Sequence, residues 1–285
     1  VADGAGAAQD TPSNAPTPAL TPPLDALLAS DFSTQLAAHG KAVGLPTDDD
    51  MGNSEVGHTA IGSGRIFAQG AKLVNQALDS GSIFETEVWQ EAISHGQANT
   101  LHFIGLHSDG NVHSHIGHLH QLMQRAASDG VARIRLHLLL DGRDTPPRSA
   151  LEYIQRTELK IAELNESLEI DIQIASGGGR MTITMDRYEA DWGMVEQGYN
   201  CHTHGIGRPF SSASEAIVTL YQESEQGDQY LEPFTITDVE GDPVGTISDG
   251  DSVILFNFRG DRAIEISQAF ENPDFDKFDR GNSPN

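Results

Sequence analysis

Val131-Ala132-Arg133-Ile134-Arg135-Leu136-His137-Leu138-Leu139-Leu140 is an apolar run that ends at once in Asp141-Gly142-Arg143-Asp144. Ile134, Leu136 and Leu138 alternate as one face of a strand would, and the polar quartet with its glycine reads as a turn. A helical pattern follows over residues 150–164. The same order recurs on both sides. Residues 101–106 run into His107-Ser108-Asp109-Gly110-Asn111-Val112-His113, after which Ile116, Leu119, Leu122 or Met123, and Ala126 mark one face of a helix. Residues 170–175 alternate as a strand and run into Ser176-Gly177-Gly178-Gly179-Arg180. Residues 252–258 run into Arg259-Gly260-Asp261-Arg262 before another helical stretch. Strands alternating with helices predict an α/β fold with a mainly parallel sheet. Ligands bind such sheets beyond the carboxyl ends of the strands, where all four polar turns sit, so the turns are expected to converge on one crevice.

Together the turns offer Arg143, Arg180, Arg187, Arg259 and Arg262, with His113 and the carboxylate of Asp144. The planar guanidinium binds phosphate or carboxylate oxygens two at a time and stays charged when partly buried. Several such forks in one crevice suit a small, multiply anionic ligand. The plainer alternative is that each arginine pairs with its neighbour in sequence, as in Arg143-Asp144 or Asp261-Arg262.

A second constellation lies upstream, in Met51-Gly52-Asn53-Ser54-Glu55-Val56-Gly57-His58. Ser54 stands where a loop passes into an apparent helix, whose free N–H groups and positive dipole end favour an anion. Flanking glycines let the backbone approach a ligand closely. Ser54 is equally an ordinary N-cap. No His or Lys nearby is placed as an obvious base, so activating the hydroxyl would need a metal. Asp3, followed by Gly4, is a metal ligand by position or simply a turn-starting aspartate. The histidines at 113, 115, 118 and 120 lack zinc-site spacing, and only His113, inside a turn, is retained as a site residue. Residues 7–23 are proline-rich and read as a long surface loop before a helix at 23–29.

Composition bounds the rest. With 285 residues, 38% of them apolar, and with 29 Gly and 13 Pro, the chain is globular and loop-rich. No apolar run reaches the roughly eighteen residues of a membrane span. Acidic residues number 42 against 17 basic, a net charge of −25. Such a surface repels nucleic acid and anionic membranes, excluding both as partners. Only Lys41, Lys72, Lys160 and Lys277 are lysines, as a salty habitat or simple solubility would favour. Cys201 is the lone cysteine, so it forms no internal disulfide, fits a reducing compartment and reads as a small packed residue. Val1-Ala2-Asp3-Gly4 shows no signal-peptide pattern and begins as if inside a strand, so the sequence is expected to be a fragment.

Five segments carry a resemblance. Gly40 to Arg65, with Met51-Gly52-Asn53-Ser54-Glu55-Val56-Gly57-His58 at its centre, resembles the nucleophile region of the cofactor-independent phosphoglycerate mutases. Ser108-Asp109-Gly110-Asn111-Val112-His113-Ser114-His115, Leu140-Asp141-Gly142-Arg143-Asp144-Thr145, the stretch from Ser176 to Arg187, and Phe256-Asn257-Phe258-Arg259-Gly260-Asp261-Arg262-Ala263 resemble that family's substrate motifs, in its order. The resemblance implies the alkaline phosphatase superfamily: residues 1–68 as part of a split phosphatase-like domain, and residues 69–285 as an inserted α/β substrate (phosphotransferase) domain. It implies two divalent metals, manganese in the family, and no 2,3-bisphosphoglycerate. Ser54 would be the nucleophile that becomes phosphoserine and, with Asp3, a metal ligand; a metal would also lower the pKa of its hydroxyl. His113, Arg143, Asp144, Arg180, Arg187, Arg259 and Arg262 would hold the oxygens of 2- or 3-phosphoglycerate. A cytosolic monomer is implied. The stretch from Arg180 to Arg187 is one residue longer than the commonest family pattern. The family's remaining metal ligands and a substrate lysine fall beyond Asn285, so residues 1–285 alone are expected to be inactive. A phosphopentomutase or metal-dependent phosphatase would share the serine but is not expected to carry these arginine turns. Retention of Ser54 and all five arginines argues against a non-catalytic anion-binding module.

Overall fold

The computed structural model describes residues 22–281, 283 and 284, so Asp3 and most of the proline-rich stretch lie outside the described residues. The chain divides between Gln69 and Gly70 into two compact units. The first holds α1 (Pro22–Leu28), a 3-10 turn (Gly40–Val43) and α2 (Ser54–Ser63), around a small core of Val43, Leu45 and Val56. Gly44 ends the 3-10 turn at φ 90°, and a Cβ there would lie 1.7 Å from the Phe67 carbonyl oxygen, so only glycine fits. The Gln69 N–H donates to that glycine's carbonyl at 3.0 Å and ties the turn to the end of the unit.

The second unit runs α3 (Gly70–Ser80), α4 (Glu87–Ala98), β1 (Leu101–His107), α5 (Ile116–Ser128), β2 (Arg133–Leu140), α6 (Ala150–Leu168), β3 (Asp171–Gly179), α7 (Trp192–His204), β4 (Arg208–Phe210), α8 (Ala213–Glu223), β5 (Phe234–Ile236), β6 (Ser252–Leu255) and α9 (Ile264–Glu271). The sheet order is β4-β5-β3-β2-β1-β6. β6, β1, β2 and β3 are mutually parallel, β5 is antiparallel to β3, and β4 is parallel to β5. This is the mainly parallel α/β sheet that the alternation of elements predicts. One face carries Phe103, Leu136, Leu138 and Ile174 into a core shared with residues of α4, α5, α6 and α8. The other carries Ile104, Leu106 and Leu139 against Ile183, Met185 and Ile247, while α7 packs on β3 and on α9. With both faces covered, β1 is buried along its whole length, its polar residues included. Among the described residues no helix is long and apolar enough to cross a membrane.

Three elements differ from expectation. α6 continues to Leu168. Ser176–Gly179 belongs to β3 rather than to a turn, because neighbouring chain crosses too close for side chains. A Cβ on Gly177 would lie 2.5 Å from the Phe234 ring, and one on Gly179 would lie 2.3 Å from the Gln229 carbonyl oxygen. β6 stops at Leu255: the Phe256 ring fills the space over Gly105, and Asn257 Oδ1, not backbone, accepts the Leu106 N–H at 2.9 Å. β4 and β5, three residues each, are too short to leave a period in the sequence. Gly179→Ala is expected to lower stability by about 1–3 kcal/mol, read as a lower urea midpoint, because the obstructing atoms are backbone.

Candidate active site

The four parallel strands end in turns that lock to one another. After β2, Asp141 is buried and folds its own turn: its Oδ1 accepts the N–H groups of Arg143 and Asp144 at 3.2 and 3.1 Å. Its Oδ2 accepts the Ser108 hydroxyl at 2.6 Å, which fastens the turn after β1. Gly110 lies so close that a Cβ would meet the Asp144 carbonyl oxygen at 2.7 Å. Arg180, following β3, is 1% exposed. Its Nη1 donates to Asp141 Oδ1 at 2.8 Å and Asp144 Oδ2 at 2.7 Å, and its Nη2 to His113 Nε2 at 2.9 Å. One guanidinium therefore bridges three turns. Among the described residues its buried Nε has no hydrogen-bond partner.

The turn after β6 closes the set. Asp261 pairs with Arg187 Nη1 at 3.3 Å and Arg259 Nη2 at 3.0 Å, and faces His113 Nδ1 at 3.5 Å. Arg262 donates to the Met185 carbonyl at 2.6 Å. Since Arg180 can only donate, His113 Nε2 accepts, and the ring's proton sits on Nδ1, toward Asp261. Burial, helped by the charges of Arg180, Arg259, Arg262 and Arg187, pushes His113 down to about 2, so the ring is neutral at physiological pH.

Of the residues singled out in the sequence, His113, Asp144, Arg180, Arg187, Arg259 and Arg262 are brought together. Arg143 is exposed, and makes no ion pair among the described residues, but its charge reaches Arg262. Neighbour pairing holds only for Arg259, which takes Asp261 two residues on: Arg180, not Arg143, takes Asp144, and the other partner of Asp261 is Arg187 rather than Arg262. Asp141 and Asp261, which organise the whole, were visible only as neighbours of arginines. Asp141 had a signal, an aspartate directly after a strand and two residues before an Arg. The set places four arginines, Arg180, Arg187, Arg259 and Arg262, against Asp141, Asp144 and Asp261 in a chain whose net charge is −25. Burial lowers the Arg262 pKa first, and the like charges of Arg180 and Arg187 lower it further. An anion seated here would relieve that crowding, and the Arg forks would meet its oxygens.

In the other unit, Ser54 is the first residue of α2, and Asn53 is the N-cap, its Oδ1 accepting the Val56 N–H at 3.1 Å. The reading of Ser54 as a cap is thereby corrected. His58, one turn on, places Nδ1 3.1 Å from Ser54 Oγ and 2.8 Å from Ser54 O. A carbonyl only accepts, so Nδ1 carries a proton and cannot take the serine's. Among the described residues a Cβ on Gly57 would meet nothing within 4 Å. Among the described residues no three His, Cys, Asp or Glu side chains gather as a metal requires. His115 instead caps α5, and His118 and His120 bond Asn75 and Thr157.

Comparison with known proteins gives these relations. The family model described as BPG-independent PGAM N-terminus matches residues 74–285. The chain is 60% identical over 253 residues to a probable 2,3-bisphosphoglycerate-independent phosphoglycerate mutase of Leptospira interrogans, covering 88% of this chain and 46% of that protein. It is 49% identical over 290 residues to the 2,3-bisphosphoglycerate-independent phosphoglycerate mutase of Trypanosoma brucei, covering 100% and 52%. A crystal structure of Leishmania mexicana phosphoglycerate mutase at low cobalt concentration matches with a TM-score of 0.91 and 47% identity, over 94% of this chain and 49% of that one. The chain thus spans about half the length of the curated relatives it matches.

Proposed function

This chain belongs to the BPG-independent phosphoglycerate mutase family, whose N-terminal part it matches, and from that premise we propose that its protein interconverts 3-phosphoglycerate and 2-phosphoglycerate through a phosphoserine on Ser54. The observation that carries the reading is the interlocking of four strand-end turns around Arg180 and Asp261, which gathers Arg180, Arg187, Arg259 and Arg262 in a strongly acidic chain. Residues 1–68 are read as part of a split phosphatase-like domain and residues 69–285 as the inserted substrate domain.

In the first step Ser54 Oγ attacks phosphorus, the bond from phosphorus to the C3 oxygen breaks, and the serine's proton ends on the released glycerate oxygen. The glycerate turns over while its carboxylate stays anionic. Its C2 hydroxyl then attacks the phosphoserine, the Ser54 oxygen–phosphorus bond breaks, and the serine regains a proton. Phosphoryl transfer of this kind depends on positioning and charge stabilisation. Arg143, Arg180, Arg187, Arg259 and Arg262 are proposed to supply both, while Asp144 and neutral His113 orient the Arg180 guanidinium. No bisphosphoglycerate takes part. Two divalent cations, manganese by resemblance, belong to the proposal, with Ser54 and Asp3 as donors. The described residues alone do not compose such a site. The protein is proposed to act as a cytosolic monomer on a small-molecule substrate, without nucleic acid or membrane partners.

The test is the fate of the phosphoryl group. Given 3-phosphoglycerate and manganese without bisphosphoglycerate, the whole protein is expected to give 2-phosphoglycerate by phosphorus NMR, with total organic phosphate constant. Release of inorganic phosphate in its place would mark a phosphatase and overturn the mutase reading.

A further inference from the structure

On the sheet face that carries Ile104 and Leu139, a row of polar side chains crosses the interior. Asp251, immediately before β6, is held by the N–H groups of Thr100 and Ser248, each at 2.9 Å. Its Oδ2 faces His102 Nε2 at 3.3 Å. His102 Nδ1 lies 2.9 Å from His137 Nε2, and His137 Nδ1 lies 2.7 Å from Ser176 Oγ. Ser176 Oγ lies 2.9 Å from His202 Nδ1, and His202 Nε2 lies 3.0 Å from Thr184 Oγ1. All but Asp251 are at most 1% exposed. A bulge in β3 makes the row possible. Register passes from Leu136↔Ile174 to His137↔Ser176, and the extra Ala175 turns Ser176 to the histidine face.

The row has one direction. The Asp251 carboxylate only accepts, so His102 Nε2 carries that ring's proton, and a neutral His102 must then accept at Nδ1. His137 donates from Nε2 and accepts at Nδ1 from the Ser176 hydroxyl. Ser176 in turn accepts from His202 Nδ1–H, which leaves His202 Nε2 to accept the Thr184 hydroxyl. Burial keeps the rings neutral, pushing His202 down to about 3. No group in the row is left with two donors or two acceptors face to face.

Thr184 is where this line arrives, and it is a residue under strain. It sits at φ 67°, a left-handed conformation that a β-branched side chain rarely adopts. Tyr188 and Glu189, farther along the same segment, are also left-handed, at φ 64° and 54°. Strain of this kind persists only where the surroundings over-determine it. Here the Thr184 N–H donates to Met194 O at 3.0 Å, and α7 approaches so closely at Gly198 that a Cβ there would lie 2.1 Å from Thr184 Oγ1. Arg180 and Arg187 flank the strained residue at its two ends.

We infer that Asp251, His102, His137, Ser176 and His202 are positioning residues: one oriented hydrogen-bond line, anchored at the amino end of the sheet, holds Thr184 left-handed and so sets Arg180 and Arg187 for the anion. The inference rests on the phosphoglycerate reading of the arginine turns.

Two measurements on the whole protein test it. Nitrogen-15 NMR of the histidine rings at neutral pH is expected to show His102 and His137 protonated on Nε2 alone, and His202 on Nδ1 alone. The opposite tautomer in any of the three overturns the line, whatever the ligand. The second is titration with 3-phosphoglycerate. Thr184→Val, which keeps the branch and loses the hydroxyl, is expected to bind at least about tenfold more weakly, and Thr184→Ser to restore affinity. Ser176→Ala should weaken binding in the same direction and leave His202 a mixture of tautomers. Arg180→Gln separates the two readings. If it loses affinity and Thr184→Val does not, the line plays no positioning part. If it binds as wild type, the phosphoglycerate reading fails, and the ring tautomers alone judge the line. Should Thr184→Val not fold, the wild-type spectra and Ser176→Ala decide.

Discussion

Ser54→Ala is expected to abolish interconversion of the phosphoglycerates in the whole protein, by at least about 10³-fold, while leaving the fold intact. The loss follows from the nucleophile's role, since without the hydroxyl there is no oxygen to accept phosphorus. The intact fold follows from local structure. Ser54 is exposed at the first position of α2, and the cap that the helix needs comes from Asn53. Its hydroxyl lies beside His58 Nδ1, but that nitrogen already donates to the Ser54 carbonyl at 2.8 Å, so His58 keeps a partner when Oγ is removed. The stability change should therefore stay within about 0.5 kcal/mol. Asn53→Ala reverses the pattern: loss of the cap costs about 1 kcal/mol, while the nucleophile remains and activity falls far less. Activity assays beside urea unfolding of both variants check the pair. Full activity in Ser54→Ala would remove Ser54 from the chemistry.

How much of this was legible in the sequence depends on the reach of each interaction. The repeated order of apolar run, polar turn and helix is local, and it led to the parallel sheet and to turns that converge. His113, Asp144, Arg180, Arg187, Arg259 and Arg262 were found because the strand-end rule needs no knowledge of distant partners. The pairing among them was not legible. Asp261 meets Arg187 across 74 residues of sequence, and Arg180 meets His113 across 67. Neighbour rules therefore proposed the wrong partners for Asp144 and Asp261. The Ser176–Gly179 stretch was misread for a related reason. Glycines usually mark turns, but here they let β5 and the 228–231 segment press against β3. The histidine row was hidden twice over. Alternation in β2 drew attention to Ile134, Leu136 and Leu138 and gave Arg135 and His137 no role. The bulge that brings Ser176 beside His137 shifts the period by one residue, and no local signal announces it.

That buried histidine population makes the Gly70–Asn285 unit sensitive to acid. Burial pushes His107 and His202 down to about 3 and His113 to about 2, and it holds His137 well below the ordinary value. Each titrates near 6.5 once the chain unfolds. Between those values the unfolded state binds the proton and the folded state does not. Stability is then fully present above about pH 6.5 and lost as pH falls below it, at about 1.4 kcal/mol per histidine per pH unit. At pH 5.5 the four together cost on the order of 5 kcal/mol, against a total stability of about 5–15 kcal/mol for a domain. Asp228 and Glu265, raised chiefly by burial, act in the opposite sense, since the folded state holds their protons longer. Two carboxyls offset only part of what four histidines withdraw. The urea midpoint is expected to fall steeply between pH 7 and 5.5, with several protons taken up on unfolding. His107→Gln, which removes one titrating ring, should reduce that uptake by about one. A midpoint unchanged over this range would mean that the rings are not held neutral. Tautomers inferred from neutral rings, including the direction of the line from Asp251 to Thr184, would then fail as well.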